Sequence, residues 1–151
     1  MVRLARPDEI ALVWQLMLAG FDETRSFPLP SSALEENLDD VRRAIGGGGA
    51  VIAFSGDEAV GCARFRVAAA TLTFSRMTVV PRARGAGIGA ALVGYLEAHA
   101  RRLGLAAVEL TARSEQPDNR PFYEELGYRV VGYSERYGLP KLSTHMRKTL
   151  G

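Results

Sequence analysis

The chain has 151 residues, 47% of them apolar, and a formal net charge of +2. That is enough apolar material for one packed core, so a single domain spanning 1–151 is expected, and the charge is too small and too scattered for a nucleic-acid surface. One cysteine, Cys62, excludes an internal disulfide framework, two histidines argue against a metal centre, and no charged leader or apolar run of membrane length is present, so the cytosol is the expected compartment.

Residues 2–5 read as a first strand. Pro7-Asp8-Glu9 reads as a helix start with acidic residues in the first turn, followed by the apolar stripe Ile10, Val13, Trp14 and Met17, and Gly20 is expected to end it. Residues 21–30 are expected to form a loop holding Asp22, Glu23, Arg25 and Phe27. Ser32 and Glu35 have the spacing of a capping box for a second helix, with Leu34, Leu38, Val41 and Ile45 on its buried face and the glycines 46–49 stopping it. Residues 50–54 and 59–68 read as strands joined by a turn at Ser55-Gly56-Asp57-Glu58; Ala63, Phe65 and Val67 share one face of the second strand, Arg64 and Arg66 the other. A further strand covers 72–80.

A glycine-rich loop follows that strand. Behind it Ile88, Leu92, Leu96, Ala100 and Leu103 recur at helical spacing; Arg101 and Arg102 suit a last turn, and Gly104 a C-terminal cap. Residues 106–111 are expected to pair parallel with the 72–80 strand across this helix. Then come a polar loop at 114–119, a short helix at 122–126 capped by Asn119 with Pro121 in its first turn, and Gly127 after it. Strands at 128–133 and 143–148, joined around Gly138-Leu139-Pro140, complete the chain. Cys62, His99 and His145 read as structural residues.

The loop runs Val79-Val80-Pro81-Arg82-Ala83-Arg84-Gly85-Ala86-Gly87-Ile88-Gly89-Ala90. Strand, glycine loop and helix N-terminus make an anion site: the first N–H groups of the helix are unbonded, its dipole favours negative charge, and glycines let a phosphate approach the backbone. Arg82 and Arg84 add positive charge at the mouth. Three phosphate ligands compete. A P-loop fails, because Gly89 is followed by Ala90-Ala91 and not by Lys-Ser/Thr. A dinucleotide fingerprint fits Gly85-x-Gly87-x-x-Ala90 with Glu109 about 20 residues on, but that loop belongs after the first strand of a doubly wound sheet. The third pattern is Arg84-x-x-Gly87-x-Gly89 after Val-x-Pro.

A second motif lies downstream: Val108-Glu109-Leu110-Thr111, then Asn119-Arg120-Pro121-Phe122-Tyr123-Glu124-Glu125-Leu126-Gly127-Tyr128. With the third loop pattern, in this order and spacing, the chain resembles the GCN5-related N-acetyltransferases. The resemblance is strongest from Leu72 to Tyr128. It implies an α/β (α+β) fold, a mixed, V-splayed central sheet flanked by helices, with acetyl-CoA between the fourth and fifth strands. By position, the pyrophosphate donors are the N–H groups of Arg84, Gly85, Ala86, Gly87, Ile88, Gly89 and Ala90. The pantetheine arm would pair with the strand near Met77 and Val79, Asn119 matches the residue that hydrogen-bonds the CoA arm, and Phe122 is also assigned to cofactor binding. Tyr123 matches the frequent general acid. No metal is implied.

Acetyl transfer to an amine has three needs. An ammonium of pKa about 10 must lose a proton, the tetrahedral oxyanion needs a fixed N–H donor, and the departing thiolate gains from a proton donor. The resemblance assigns the second need to the Val79 backbone and the third to Tyr123. It leaves the first open. Where many members carry a strand glutamate, this chain has Thr73-Phe74-Ser75-Arg76, and Glu109 is the nearest carboxylate by topology. The expected activity is acetyl-CoA-dependent N-acetylation of a small-molecule or peptide amine; a non-catalytic acyl-CoA-binding domain and an NAD(P)-binding enzyme are the alternatives. Asp22, Glu23 and Phe27 suit a cationic acceptor, whereas Arg64, Arg66 and Arg76 suit an anionic one. Tyr133 and Tyr137 near a sheet edge suggest a homodimer.

Overall fold

The computed structural model describes residues 1–26, 31–113, 119–136 and 139–151. Phe27, residues 114–118 of the expected polar loop at 114–119, Tyr137 and Gly138 lie outside them. Among the described residues the elements are β1 (Val2–Leu4), α1 (Ile10–Phe21), α2 (Leu38–Gly46), β2 (Gly49–Ser55), β3 (Glu58–Ala68), β4 (Thr71–Val79), α3 (Ile88–Arg102), β5 (Ala107–Arg113), α4 (Arg120–Glu125), β6 (Arg129–Arg136) and β7 (Leu139–Thr149). The seven strands hydrogen-bond in the order β1-β2-β3-β4-β5-β7-β6. The sheet is mixed, as expected: β4 and β5 run parallel, while β1–β2, β2–β3, β5–β7 and β6–β7 are antiparallel. A doubly wound sheet would repeat the parallel crossover. Contacts gather in two compact units, Met1–Arg66 with Arg76–Leu96, and Val67–Ser75 with Glu97–Gly151.

In the first unit, Pro7–Glu9 forms a 3-10 turn ahead of α1. Glu9 is buried there and takes both arms of the Arg3 fork, Nη1 to Oε1 and Nη2 to Oε2 at 2.7 Å each, plus the Arg6 N–H at 2.8 Å. These donors stabilise the ionised form and hold its carboxyl near pKa 2. Gly20 does not end α1, which continues to Phe21 and into a 3-10 turn over Asp22–Ser26. The glycine answers a different need. A Cβ there would lie 1.9 Å from Thr78 Oγ1 on β4, so only a residue without a side chain fits the approach. The second helix also differs from expectation. Ser31 caps a 3-10 turn over Ser32–Glu35, the backbone is extended at Glu36, and α2 starts afresh from a reciprocal Asn37–Asp40 capping box. Glu36 is held out of the helix by tertiary bonds, its carbonyl accepting from Trp14 Nε1 and its carboxylate from Arg64. On β3, Ala63 and Phe65 are buried, but Val67 is exposed.

In the second unit, β4 pairs with β5 from Thr71↔Ala107 to Phe74↔Leu110, and β5 pairs with β7 over its whole length. Leu72, Phe74, Val108, Leu110 and Met146 form its core. Each such side chain contributes about 1.5–3 kcal/mol by leaving water. The Phe74 ring meets Tyr123 and Tyr128 at centroid distances of 6.1 and 6.5 Å. Gly104 takes a φ of +75° after the last turn of α3, as a C-cap should. The turn carries Leu103 off the stripe, and it is exposed. Asn119 stands at the N-terminus of α4 but its side chain makes no capping hydrogen bond.

Two stability predictions follow from the first unit. The folded pKa of Glu9 lies below its ordinary 4.5, so its contribution is complete above about pH 4.5 and is lost as pH falls toward 2. Glu9→Gln should cost about 1–3 kcal/mol at pH 7 and flatten the acid limb of a stability–pH curve measured by urea unfolding. Gly20→Ala gains helix propensity of about 1 kcal/mol yet drives a methyl into Thr78; the clash should win, and the melting temperature should drop by several degrees.

Candidate active site

The loop belongs to the first unit. Ala91 N–H donates to Gly87 O at 3.0 Å, the first backbone bond of α3. The N–H groups of Gly85, Ala86, Gly87, Ile88, Gly89 and Ala90 therefore precede the helical ladder, and none makes a backbone hydrogen bond to a described residue. Gly85 and Gly87 have φ of +84° and +79°, and a Cβ built on either meets nothing within 4 Å. These glycines serve the left-handed turns and leave the approach to the donors open. Six N–H groups beside the positive end of a 15-residue helix form a cradle whose chemistry fits a pyrophosphate.

Arg84 is engaged on several sides within the first unit. Its N–H donates to Pro81 O at 3.3 Å. Its guanidinium donates to Val79 O at 3.0 Å, to Gly20 O at 3.1 Å and to Glu23 at 2.7 Å. It ties the loop to the end of β4 and to the end of α1. Arg82 is likewise paired with Glu58, so the mouth owes its attraction for anions to the backbone. Glu23, read from sequence as a loop carboxylate for the acceptor, is the partner of Arg84.

Val80 N–H donates to Val60 O on β3 at 2.9 Å. Strand alternation then turns the N–H groups of Met77 and Val79 to the opposite edge of β4, where a ligand arm can pair with them. Between Phe74 and Met77 the strand is irregular: Arg76 has a φ of +54°. Arg64 and Arg76 both turn to Glu36, at 2.8 Å and 3.2 Å. Nothing in the sequence spacing marks that cluster.

The second unit holds the other assigned residues. Tyr123 is buried, and its hydroxyl makes no hydrogen bond to a described residue. Burial pushes its phenol well above the ordinary value, so it stays protonated at neutral pH. Phe122 is partly exposed and packs edge-on against Tyr123 at 5.0 Å. Asn119 is exposed, and its carbonyl receives the Tyr123 N–H at 3.3 Å. Glu109 is bonded to Arg147 Nη1 at 2.6 Å. Cys62 is buried, and its thiol is pushed up to about 12 by desolvation, which suits an inert core residue. Among the described residues no group of three acidic, His or Cys side chains could hold a metal ion, and no helix is long and apolar enough to cross a membrane.

The model of the acetyltransferase (GNAT) family matches residues 14–128, most of the chain. The protein belongs to the GNAT family. Among similar solved structures is the PaiA N-acetyltransferase of Thermoplasma acidophilum in complex with coenzyme A, with a TM-score of 0.83 at 14% identity over 99% of this chain and 98% of that one. Rv2747 of Mycobacterium tuberculosis, in complex with CoA and NLQ, gives 0.71 at 22% over 99% of each chain. A ribosomal-protein-alanine N-acetyltransferase of Brucella melitensis gives 0.76 at 17%, again over 99% of each. At these identities the likeness establishes the fold. No curated protein matches the chain.

Gly87→Val tests the cradle. A β-branched residue strains a left-handed backbone by about 1–3 kcal/mol and covers donors that a phosphate must reach. Calorimetric titration should show CoA affinity at least tenfold weaker than wild type, with the far-UV spectrum unchanged; equal affinities would reject the assignment.

Proposed function

We propose that this GNAT member transfers an acetyl group from acetyl-CoA to a primary amine, on a small molecule or a peptide, by direct displacement. The observation that carries the reading is the run of six N–H groups, Gly85 to Ala90, at the start of α3, none with a backbone hydrogen bond to a described residue. It lies one short turn beyond a strand edge that presents Met77 and Val79 N–H groups. In this reading the cradle binds the pyrophosphate and Met77 pairs with the pantetheine arm. Val79 N–H faces the oxygen on which charge develops. Asn119 and Phe122 flank the arm. Acetyl-CoA, when bound, supplies the activated acyl group. The neighbours named above include one that acts, by its name, on a ribosomal protein's alanine, so peptide and small amines both belong in an acceptor panel.

Tyr123 is the proposed donor to the departing sulfur. A thiol has a pKa of roughly 8.5, and a buried phenol lies above 10, so full transfer of its proton is uphill. Its role is to hold a hydrogen bond on the developing thiolate in a low-dielectric setting, which strengthens that bond. This is worth about 10²-fold, the low end of the range for such catalysis.

Thermal shift with CoA, acetyl-CoA, NAD and NADP comes first. Acetyl-CoA should raise the melting temperature and the dinucleotides should not; a shift with NAD alone would overturn the reading. An amine panel with a thiol-release readout then identifies an acceptor. Tyr123→Phe should lower kcat about 10²-fold while leaving the acetyl-CoA KM and the melting temperature nearly unchanged. Turnover within twofold of wild type would remove Tyr123 from the mechanism. CoA binding without turnover on any amine would favour an acyl-CoA-binding domain.

A further inference from the structure

We propose that His145 accepts the proton of the incoming amine and that Thr111 orients it. The proposal rests on the acetyl-transfer reading and fills the role left vacant by the missing strand glutamate.

The two faces of β5 differ in chemistry. Val108, Leu110 and Ala112 are buried, and Met146 on β7 is buried with them. Tyr123 reaches this side through its contact with Phe74, the register partner of Leu110. The alternate residues, Glu109 and Thr111, pair across the strands with Arg147 and His145. On that face Glu109 is committed to Arg147 at 2.6 Å, and taking a proton would forfeit the ion pair. His145 Nδ1 lies 3.0 Å from Thr111 Oγ1. With Nδ1–H donating to that hydroxyl, Nε2 keeps its lone pair.

The place matters as much as the group. The β4–β5 ladder closes at Phe74↔Leu110, and Thr111↔His145 is the next pair along β5. The residue opposite His145 on β6 is Gly132, and a Cβ there would meet nothing within 4 Å, so the imidazole has open space beside it. Among the side chains described, the charged groups on this face are Glu109 on β5, Arg147 on β7 and Arg129, paired in register with Arg147, on β6; by alternation Arg113 on β5 has its place on the same face. An acceptor at the end of the ladder thus meets a base on one face of β5, with the thiolate donor on the other.

The protons balance. The ammonium gives one proton to His145 Nε2, and the freed amine nitrogen bonds to the acetyl carbon. The C–S bond breaks with its electron pair on sulfur, which Tyr123 hydrogen-bonds. The second proton of the nitrogen reaches the sulfur through solvent, and the imidazolium returns its proton to solvent, a net release of one.

The experiment measures kcat at saturating amine against pH. Wild type should lose activity toward acid through one ionisation. His145→Gln should lower kcat at pH 7 about 10²-fold, lack that ionisation, and keep its CoA affinity and melting temperature. Imidazole in the buffer should restore part of the activity of His145→Ala. Thr111→Val, which keeps a β-branched strand residue, should lose about tenfold. His145→Gln within twofold of wild type, or loss of the acid limb in Glu109→Gln and not in His145→Gln, would overturn the proposal. Absence of CoA binding in wild type would overturn the acetyl-transfer reading itself and this proposal with it.

Discussion

The contact of Gly20 with Thr78 constrains everything around the loop. Helix α1 and strand β4 meet there at a separation that leaves no room for a single methyl group. The close approach brings the Gly20 carbonyl to Arg84, whose fork also holds the Val79 carbonyl and Glu23. One planar, always-charged group thereby ties a helix end, a strand end and a loop. The N–H groups of 85–90 owe their arrangement to this tie and to α3, because they make no bonds with one another. A lysine could not reproduce it, having a point charge where three divergent acceptors must be met.

Strand β4 is two strands in one. Up to Phe74 it is a ladder partner of β5. After Arg76, whose left-handed backbone is a strained state for a side-chain-bearing residue, its Val80 N–H bonds to β3 while Met77 and Val79 point the other way. Such strain persists only where the surroundings over-determine it. Here Glu36 draws Arg76 and Arg64 together from the segment ahead of α2. The same pull explains why α2 starts at Leu38 and not at Ser32.

In the second unit a buried carboxylate plays the organising part. Glu97 on α3 accepts from the Tyr128 hydroxyl at 2.9 Å and from Lys148 at 3.0 Å, and Lys148 also donates to Leu126 O at 2.8 Å. A buried charge with two donors is tolerable; with one removed it is costly, by about 3–5 kcal/mol. The network ties α3, the turn after α4 and β7 together. It thereby fixes Tyr128 against Phe74 and Tyr123, and with them the place of the proposed sulfur donor.

How much of this was legible in the sequence depends on the range of the forces involved. Local rules sufficed for the strand–loop–helix unit, the parallel pairing of β4 with β5, the Gly104 cap and the Phe122-Tyr123 segment. Period, glycine placement and chain connectivity are encoded within a few residues. Arg84 read as a cation at the mouth of the loop, Gly20 as a helix stop, and Ser32 with Glu35 as the capping box of the second helix. Each assignment was locally reasonable. The deciding partners lie far along the chain: Gly20 and Glu23 for Arg84, Thr78 for Gly20, and Arg64 and Trp14 for Glu36, which holds the start of the second helix back to Leu38. Sequence determined which backbone forms where, because φ preference and hydrophobic period act locally. Tertiary structure alone decided which carboxylates are paired with arginines and where helix meets strand, because burial and ion pairing are settled only when distant segments pack.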